Sequence, residues 1–497
     1  MTADLMSKHD NGSRATRFHS LTAMEPSRFL INGEWLESEV KRPVVNPYDN
    51  TVVGEVFQSS PDHIEAAIRS ASDAFQTTRR LSSFERSNIL FKIAGAIEAN
   101  KEAFANLITT ETGKPIALSR VEVARSIFTL STSAEEAKRI EGTVLPLDLG
   151  PGSANRTALI KRFPLGPISA ITPFNFPLNL VAHKLGPAIA SGNTMILKPS
   201  SSAPMTSLLL GKISMDAGLP KGAFNIVPCL AGEAGQLIED KRIKLVSFTG
   251  SPAVGWPLKA RAGKKRVVLE LGGNAAVIVD NSADLNYALQ RILQGSYGNA
   301  GQSCIAVQRI YVHDALYKTF ADRFVKLTSS VGVGDPRNER TLVGPMINEE
   351  AARKIEGWIQ EAVAAGARLL CGGKRQGAIL EPTILVDVSP SMNVACQEVF
   401  APVVTLEEFS DFAEVVGRVN HSAFGLQAGL FTNDFSHITY AFEELEVGGV
   451  VLNDSSAYRM DHMPYGGVKD SGFGREGIRY AIEEMTEMKL LAMNLAP

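Results

Sequence analysis

The chain has 497 residues, 44% hydrophobic and 21% charged, which suits two or three globular domains and excludes a disordered or fibrous protein. Its 50 basic and 53 acidic side chains leave a formal charge of -3, so no global field draws it to nucleic acid or anionic lipid. No run approaches the roughly 18 apolar residues of a membrane helix, no signal-peptide pattern opens the chain, and no CxxC pair or HExxH suggests a metal; cytoplasmic placement with reduced thiols is expected.

Residues 1–25 are polar and aperiodic, the composition of a disordered tail. Order is expected near Phe29, where FLINGEWLES sets Asn32-Gly33 between two short apolar runs as a hairpin turn. Ser60-Pro61 reads as a helix cap and first turn, followed by Ile64, Ala67, Ile68, Ala71 and Phe75 at helical spacing. A second helix is expected after Ser83, and a third ends at Thr112 with Gly113 as its stop. Beyond residue 142, VLPLDLG and TALIKRFPLGPISAI suit extended chain. From Ile168, short apolar runs (PISAI, TMILKPS, FNIVP, LVSFTG, VVLEL) alternate with helical stretches such as Met205 to Ala217, the rhythm of a parallel sheet with crossover helices. A second alternation follows Gly273: NAAVIVD, a helix around Leu285 to Tyr297, RIYVHD, and helices from Leu316 and Glu349. The glycines between Leu271 and Asn274 mark the boundary between two α/β domains, a place where ligands often bind.

Cys304 lies in GQSC between a helical segment and the apolar IAVQRIYV, a helix-to-strand loop; taken alone, a single cysteine is usually an inert small hydrophobe. Glu270 closes VVLEL just before Gly272 and Gly273. A carboxylate ending a buried strand must titrate high or find a partner, so it reads as a general base or as half of a strand-end salt bridge. Asn175, in PFNFPLNL, can donate to a developing oxyanion or simply serve a turn. FTGSPAVG, from Phe248 to Gly255, runs from strand to helix and offers backbone donors to a pyrophosphate, although its spacing is not GxGxxG.

In this order and spacing, PFNFPL at 173–178, ILKPS at 196–200, FTGS at 248–251, LELGGN at 269–274, GQSC at 301–304, EVFAPV at 398–403 and PYGGVKDSGFGREG at 464–477 closely resemble the aldehyde dehydrogenase superfamily. The resemblance implies an α/β fold with a Rossmann-like cofactor-binding domain over 26–142 and 162–271, and a second α/β catalytic domain over 272–480. A small β oligomerisation element comes from 143–161 and 481–497. The implied reaction is NAD(P)-dependent oxidation of an aldehyde to its acid. Cys304 attacks, Asn175 and the Cys304 backbone N–H hold the oxyanion, hydride passes to nicotinamide, and Glu270 activates the water that hydrolyses the thioester. Lys184 and Glu476 match positions linked with proton relay. Lys198 is implied at the adenine ribose, Gly250 and Ser251 at the pyrophosphate, and Glu398 and Phe400 at the nicotinamide ribose, with Phe174, Ser200 and Ser201 in the same cofactor set.

Ser201 stands where many NAD-preferring relatives carry Glu, so a 2′-phosphate meets no like charge and NAD or NADP can serve. His183, Tyr458, Arg459, His462 and Tyr465 fall by resemblance near the substrate tunnel, a polar set in which Arg459 can pair with a carboxylate, phosphate or sulfonate on a small aldehyde. Against an anionic substrate, Ser303 stands where some relatives acting on phosphorylated substrates have Arg. The apolar C-terminal segment TEMKLLAMNLAP invites pairing between chains, so a homodimer or homotetramer is expected. Two other readings share the fold: a CoA-acylating enzyme, which usually lacks the base at Glu270, and a non-catalytic scaffold, which need not keep Cys304, Glu270 and Asn175 together.

Overall fold

The computed structural model describes residues 27–495, and the expected tail over 1–25 lies outside the described residues. Asn32 and Gly33 take φ of 53° and 73°, the left-handed pair that joins Phe29–Ile31 to Glu34–Leu36 in a two-residue hairpin. Ser60 caps the helix Pro61–Thr78, its Oγ accepting from the His63 N–H while the Ser60 N–H donates to His63 Nδ1. Helices Ser83–Ala99 and Lys101–Thr112 follow, and Gly113, left-handed at φ 68°, ends the latter.

A fourth helix, Ile116–Glu136, adds to the three expected in this region. Its buried face carries Ser119, Ser126 and Ser133 at seven-residue spacing, so the apolar periodicity that reveals a helix is diluted. Ser126 and Ser133 donate to the carbonyls four residues back, which satisfies them within the helix. Small side chains also permit close packing on the helix Asn179–Ser191: a Cβ at Gly186 would lie 2.4 Å from Ser133 Oγ.

The first sheet has eight strands, and its centre is parallel, in the order Phe224–Ile226, Thr194–Lys198, Pro167–Ile171, Leu245–Thr249, Arg266–Glu270. Buried runs such as TMILK show why these strands read as continuously apolar: helices cover both faces. The second sheet has seven strands, of which Thr383–Val386, Val403–Phe409, Val307–His313, Ala275–Val279, Gln427–Phe431 and Gly449–Leu452 are parallel neighbours. Leu271–Asn274 carries the chain from the first sheet, at Arg266–Glu270, to the second, at Ala275–Val279.

The chain then returns. Gly472–Phe473 pairs antiparallel with Leu269 and Glu270, and the following helix Ile478–Glu484 buries Ile478 and Ile482 in the core of the first sheet. The last part of the expected 272–480 segment therefore packs against the first sheet, bringing Glu476 beside Glu270's strand. A third sheet joins Thr143–Pro146, Arg156–Pro164 and Thr486–Asn494 in antiparallel register. Among the described residues, no helix is long and apolar enough to cross a membrane.

Candidate functional site

A cavity of about 390 Å³ opens at the C-terminal ends of Pro167–Ile171, Leu245–Thr249 and Arg266–Glu270, the end at which parallel sheets usually bind ligands. Connections of the second sheet form its other wall, and Asn175, Glu270 and Cys304 all line it. The loop carrying Cys304 turns through three consecutive left-handed residues, Asn299, Ala300 and Gly301, at φ 55°, 54° and 67°. That backbone costs about 1–2 kcal/mol at each non-glycine residue, so tertiary contacts must hold it. A Cβ at Gly301 would lie 2.2 Å from the Ala401 carbonyl oxygen, and one at Gly273 would lie 2.1 Å from that of Cys304. Both glycines are thus required by close approach as the loop seats.

Asn175 donates one amide hydrogen to the Gln302 carbonyl at 3.1 Å, which ties it to the cysteine loop and leaves its second hydrogen available. Cys304 Sγ lies 3.0 Å from the Tyr465 hydroxyl. Burial pushes the Cys304 thiol up to about 11, and the hydrogen bond to Tyr465 opposes that rise. Glu270 is buried with neither carboxylate oxygen hydrogen-bonded, so it is not half of a strand-end ion pair. Burial first, and then the charge of Glu476, raise its pKa well above the usual carboxylate value. Glu476 is itself buried, but Lys184 at 2.8 Å, with the charge of Arg459, holds it down to about 2. Lys184 also donates to Ser247 Oγ at 2.9 Å.

The residues of the expected dinucleotide wall fit such a group. Lys198, at the end of Thr194–Lys198, is largely buried, its ammonium without a hydrogen bond or ion pair among the described residues, and burial lowers its pKa. Thr249 Oγ1 is buried and unpartnered, and Ser251 stands at the N-terminus of Pro252–Arg261 with its side chain making no cap bond. Backbone donors, a hydroxyl and a cation are thus left for an anionic ligand. Gly250 and Ser251 line the cavity, and Phe174 and Phe400 face each other edge-on across it at 6.1 Å. Glu398 accepts from the Gly273 N–H at 2.9 Å, and burial pushes it up to about 7. Lys198, Ser200 and Ser201 lie outside the cavity lining; Ser201 is exposed, and Ser200 Oγ accepts from the Ser202 N–H.

At the other end, Arg459 and Tyr465 line the cavity, whereas His183, Tyr458 and His462 do not. Arg459 is buried, donates to Glu476 at 3.2 Å, stacks 3.6 Å over the Tyr465 ring and leaves its Nε unpartnered. His183 is enclosed beside Asp461, with Nε2 at 2.8 Å from that carboxylate. Burial and then the Arg459 charge lower its pKa, which favours a neutral imidazole. Tyr458 and His462 point to the surface. Sequence reasoning missed Arg125, on Ile116–Glu136, which also lines the cavity and is held by two hydrogen bonds to Asp461, at 2.7 and 3.1 Å. Asp461 further accepts from Asn179 at 3.0 Å. Lying between Arg459 and His462 in RMDH, Asp461 was the one legible signal for this cluster.

A model of the aldehyde dehydrogenase family matches residues 35–491. The chain is 46% identical over 477 residues to 3-sulfolactaldehyde dehydrogenase of Priestia aryabhattai, covering 96% of this chain and 100% of the relative. A crystal structure of aldehyde dehydrogenase 21 from Physcomitrella patens, in complex with the reaction product succinate, aligns with a TM-score of 0.93 at 44% identity, covering 95% of this chain and 99% of that one. Glyceraldehyde-3-phosphate dehydrogenase GapN from Methanocaldococcus jannaschii, complexed with NADP, aligns with a TM-score of 0.88 at 39% identity, covering 92% of this chain and 100% of that one.

Proposed function

The chain belongs to the aldehyde dehydrogenase family, and from that premise we propose what its site residues do and which kind of aldehyde it oxidises. It is an oxidoreductase that acts on small aldehydes with a nicotinamide cofactor. The observation that carries the finer reading is one cavity lined by Cys304, Asn175, an unpartnered Glu270 carboxylate and two guanidinium groups.

The Cys304 sulfur attacks the aldehyde carbon, forming a C–S bond as the carbonyl π pair moves onto oxygen. The free amide hydrogen of Asn175 and the Cys304 backbone N–H receive that oxygen. A nicotinamide held beside Phe400 and Glu398 would supply the acceptor for the hydride on the substrate carbon, and its loss would leave Cys304 holding a thioester. Glu270 takes a proton from the water that adds to the thioester carbon, the C–S pair returns to sulfur, and the acid departs. Lys184 and Glu476 serve the onward movement of that proton. A CoA-acylating enzyme has no use for this base, so hydrolysis is the favoured release.

Lys198, Ser200, Ser201, Gly250, Ser251, Glu398, Phe174 and Phe400 hold the cofactor. Serine at 201 places no charge against a 2′-phosphate, so NADP is accepted alongside NAD. Cytoplasmic placement belongs to the same reading. The chain assembles as a dimer or a dimer of dimers through its third sheet.

The substrate is a small aldehyde with an anionic far end. Arg125 and Arg459 bring two fixed cations to the cavity, and the relatives' names point the same way: one carries a sulfonate substrate, another holds the dicarboxylate succinate. Steady-state assays with sulfonated, carboxylated and neutral aldehydes test this reading. Arg125→Met should raise KM for the anionic aldehydes about tenfold and leave the neutral ones within about twofold. An equal loss on both would remove the anion-pocket assignment.

A further inference from the structure

Tyr465 was expected only as a wall of the substrate tunnel. Its hydroxyl instead points at the proposed nucleophile, 3.0 Å from Cys304 Sγ, and that sulfur is the hydroxyl's one hydrogen-bond partner among the described residues. Tyr465 is 3% exposed, so the phenol cannot turn to water for another. Its backbone is clamped on both sides: its N–H donates to the Glu476 carbonyl at 3.0 Å and its carbonyl accepts from the Glu476 N–H at 2.7 Å. The Arg459 guanidinium lies 3.6 Å over the ring face, withdrawing electron density and strengthening the phenol as a donor.

Four ionisable groups face the sulfur. The carboxyls of Glu398 and Glu270 disfavour a thiolate, while the Arg459 charge and the Tyr465 hydroxyl favour it. Of these, only the phenol touches the sulfur. A phenylalanine would fill the same space and stack under Arg459 equally well, so packing gives no reason for the oxygen.

We propose that Tyr465 is a catalytic residue whose hydroxyl donates a hydrogen bond to the Cys304 sulfur, supporting the thiolate that attacks the aldehyde and receiving it again when the thioester breaks. This rests on the assignment of Cys304 as the nucleophile. No proton leaves Tyr465. In the first step a sulfur lone pair becomes the C–S bond and the hydrogen bond loosens. In the last, the C–S pair returns to sulfur and the hydrogen bond re-forms on the leaving thiolate.

The test is the pH dependence of Cys304 alkylation by iodoacetamide in cofactor-free protein, read by peptide mass mapping to separate Cys304 from Cys229, Cys371 and Cys396. Tyr465→Phe removes only the oxygen. Its inflection should rise by about one pH unit, with alkylation near neutral pH slowed about tenfold and aldehyde turnover falling in parallel. Replacing Tyr465 with 3-fluorotyrosine, a more acidic phenol of nearly the same shape, should move the inflection the other way. Profiles that overlay wild type in both variants overturn the proposal while leaving the nucleophile in place. Full turnover by Cys304→Ala would overturn the nucleophile assignment, and the role of Tyr465 with it.

Discussion

Glu270 shows how a single residue's meaning changes with its surroundings. From VVLEL alone it was equally a base or one end of a salt bridge, because a strand end tells nothing about what faces it. In the folded chain both oxygens are unpartnered, and after burial the charge that acts on it most is another carboxylate, Glu476. For Glu270 as the proposed base, the raised pKa fixes the sign of the pH dependence: the carboxyl must be ionised to accept a proton, so hydrolysis should gain rate as pH rises through that pKa. Where thioester hydrolysis limits turnover, the acid limb of kcat should therefore sit well above the ordinary 4.5 of a glutamate. Glu270→Gln should release a burst of reduced cofactor and then turn over about 100-fold more slowly, without the acid limb. Stopped-flow absorbance reads both, and a variant that cycles at the wild-type rate would show the base to be elsewhere.

At the scale of elements, the loop bearing Asn175 owes its position to a helix that the sequence pattern did not reveal. Glu122, on Ile116–Glu136, accepts from the N–H groups of Leu178 and Asn179 at 2.9 and 3.1 Å. It thereby satisfies the start of Asn179–Ser191, which has no side-chain cap of its own. The same carboxylate pairs with Lys114, and both side chains are buried. Lys114 in turn lies 3.8 Å from the centre of the Phe176 ring, next door to Asn175. Glu122→Ala leaves a buried ammonium without its partner and should destabilise the protein by about 3–5 kcal/mol in urea unfolding. Adding Lys114→Met should recover a substantial part of that loss, because the stranded charge is then gone. Additive losses in the double variant would show that the pair is not the cause.

For the whole molecule, the third sheet is the feature left unfinished by a single chain. Successive residues on Thr486–Asn494 point to opposite faces, yet Leu490 and Leu491 are 52% and 57% exposed, so neither face of this strand is covered. Val144, on the opposite edge strand, is 71% exposed. An open edge with apolar side chains on both faces suits the proposed pairing with a second copy. Light scattering should find a dimer or tetramer for the full chain, and removal of residues 487–497 should yield a smaller species. A full-length chain that stays monomeric at micromolar concentration would remove this assignment.

Local motifs carried a large part of the architecture. Asn32-Gly33, Ser60-Pro61 and Gly113 each act through their own backbone, so their structural consequences are written where they stand. The α/β alternation was equally legible, since burial on both faces leaves an apolar run in the chain itself. The helix Ile116–Glu136 was not, because Ser119, Glu122, Ser126, Thr129 and Ser133 interrupt the packed face between Ile116, Val123 and Leu130. The contacts within the cavity depend on residues brought together from far along the chain. Arg125 meets Asp461, Lys184 meets Glu476, and the Tyr465 hydroxyl meets Cys304 across 336, 292 and 161 positions of sequence. Composition and motif determined that a cysteine, a carboxylate and an amide were available; only the closure of two sheets decided which charges and donors face them, because electrostatic and hydrogen-bond energies depend on distance in space.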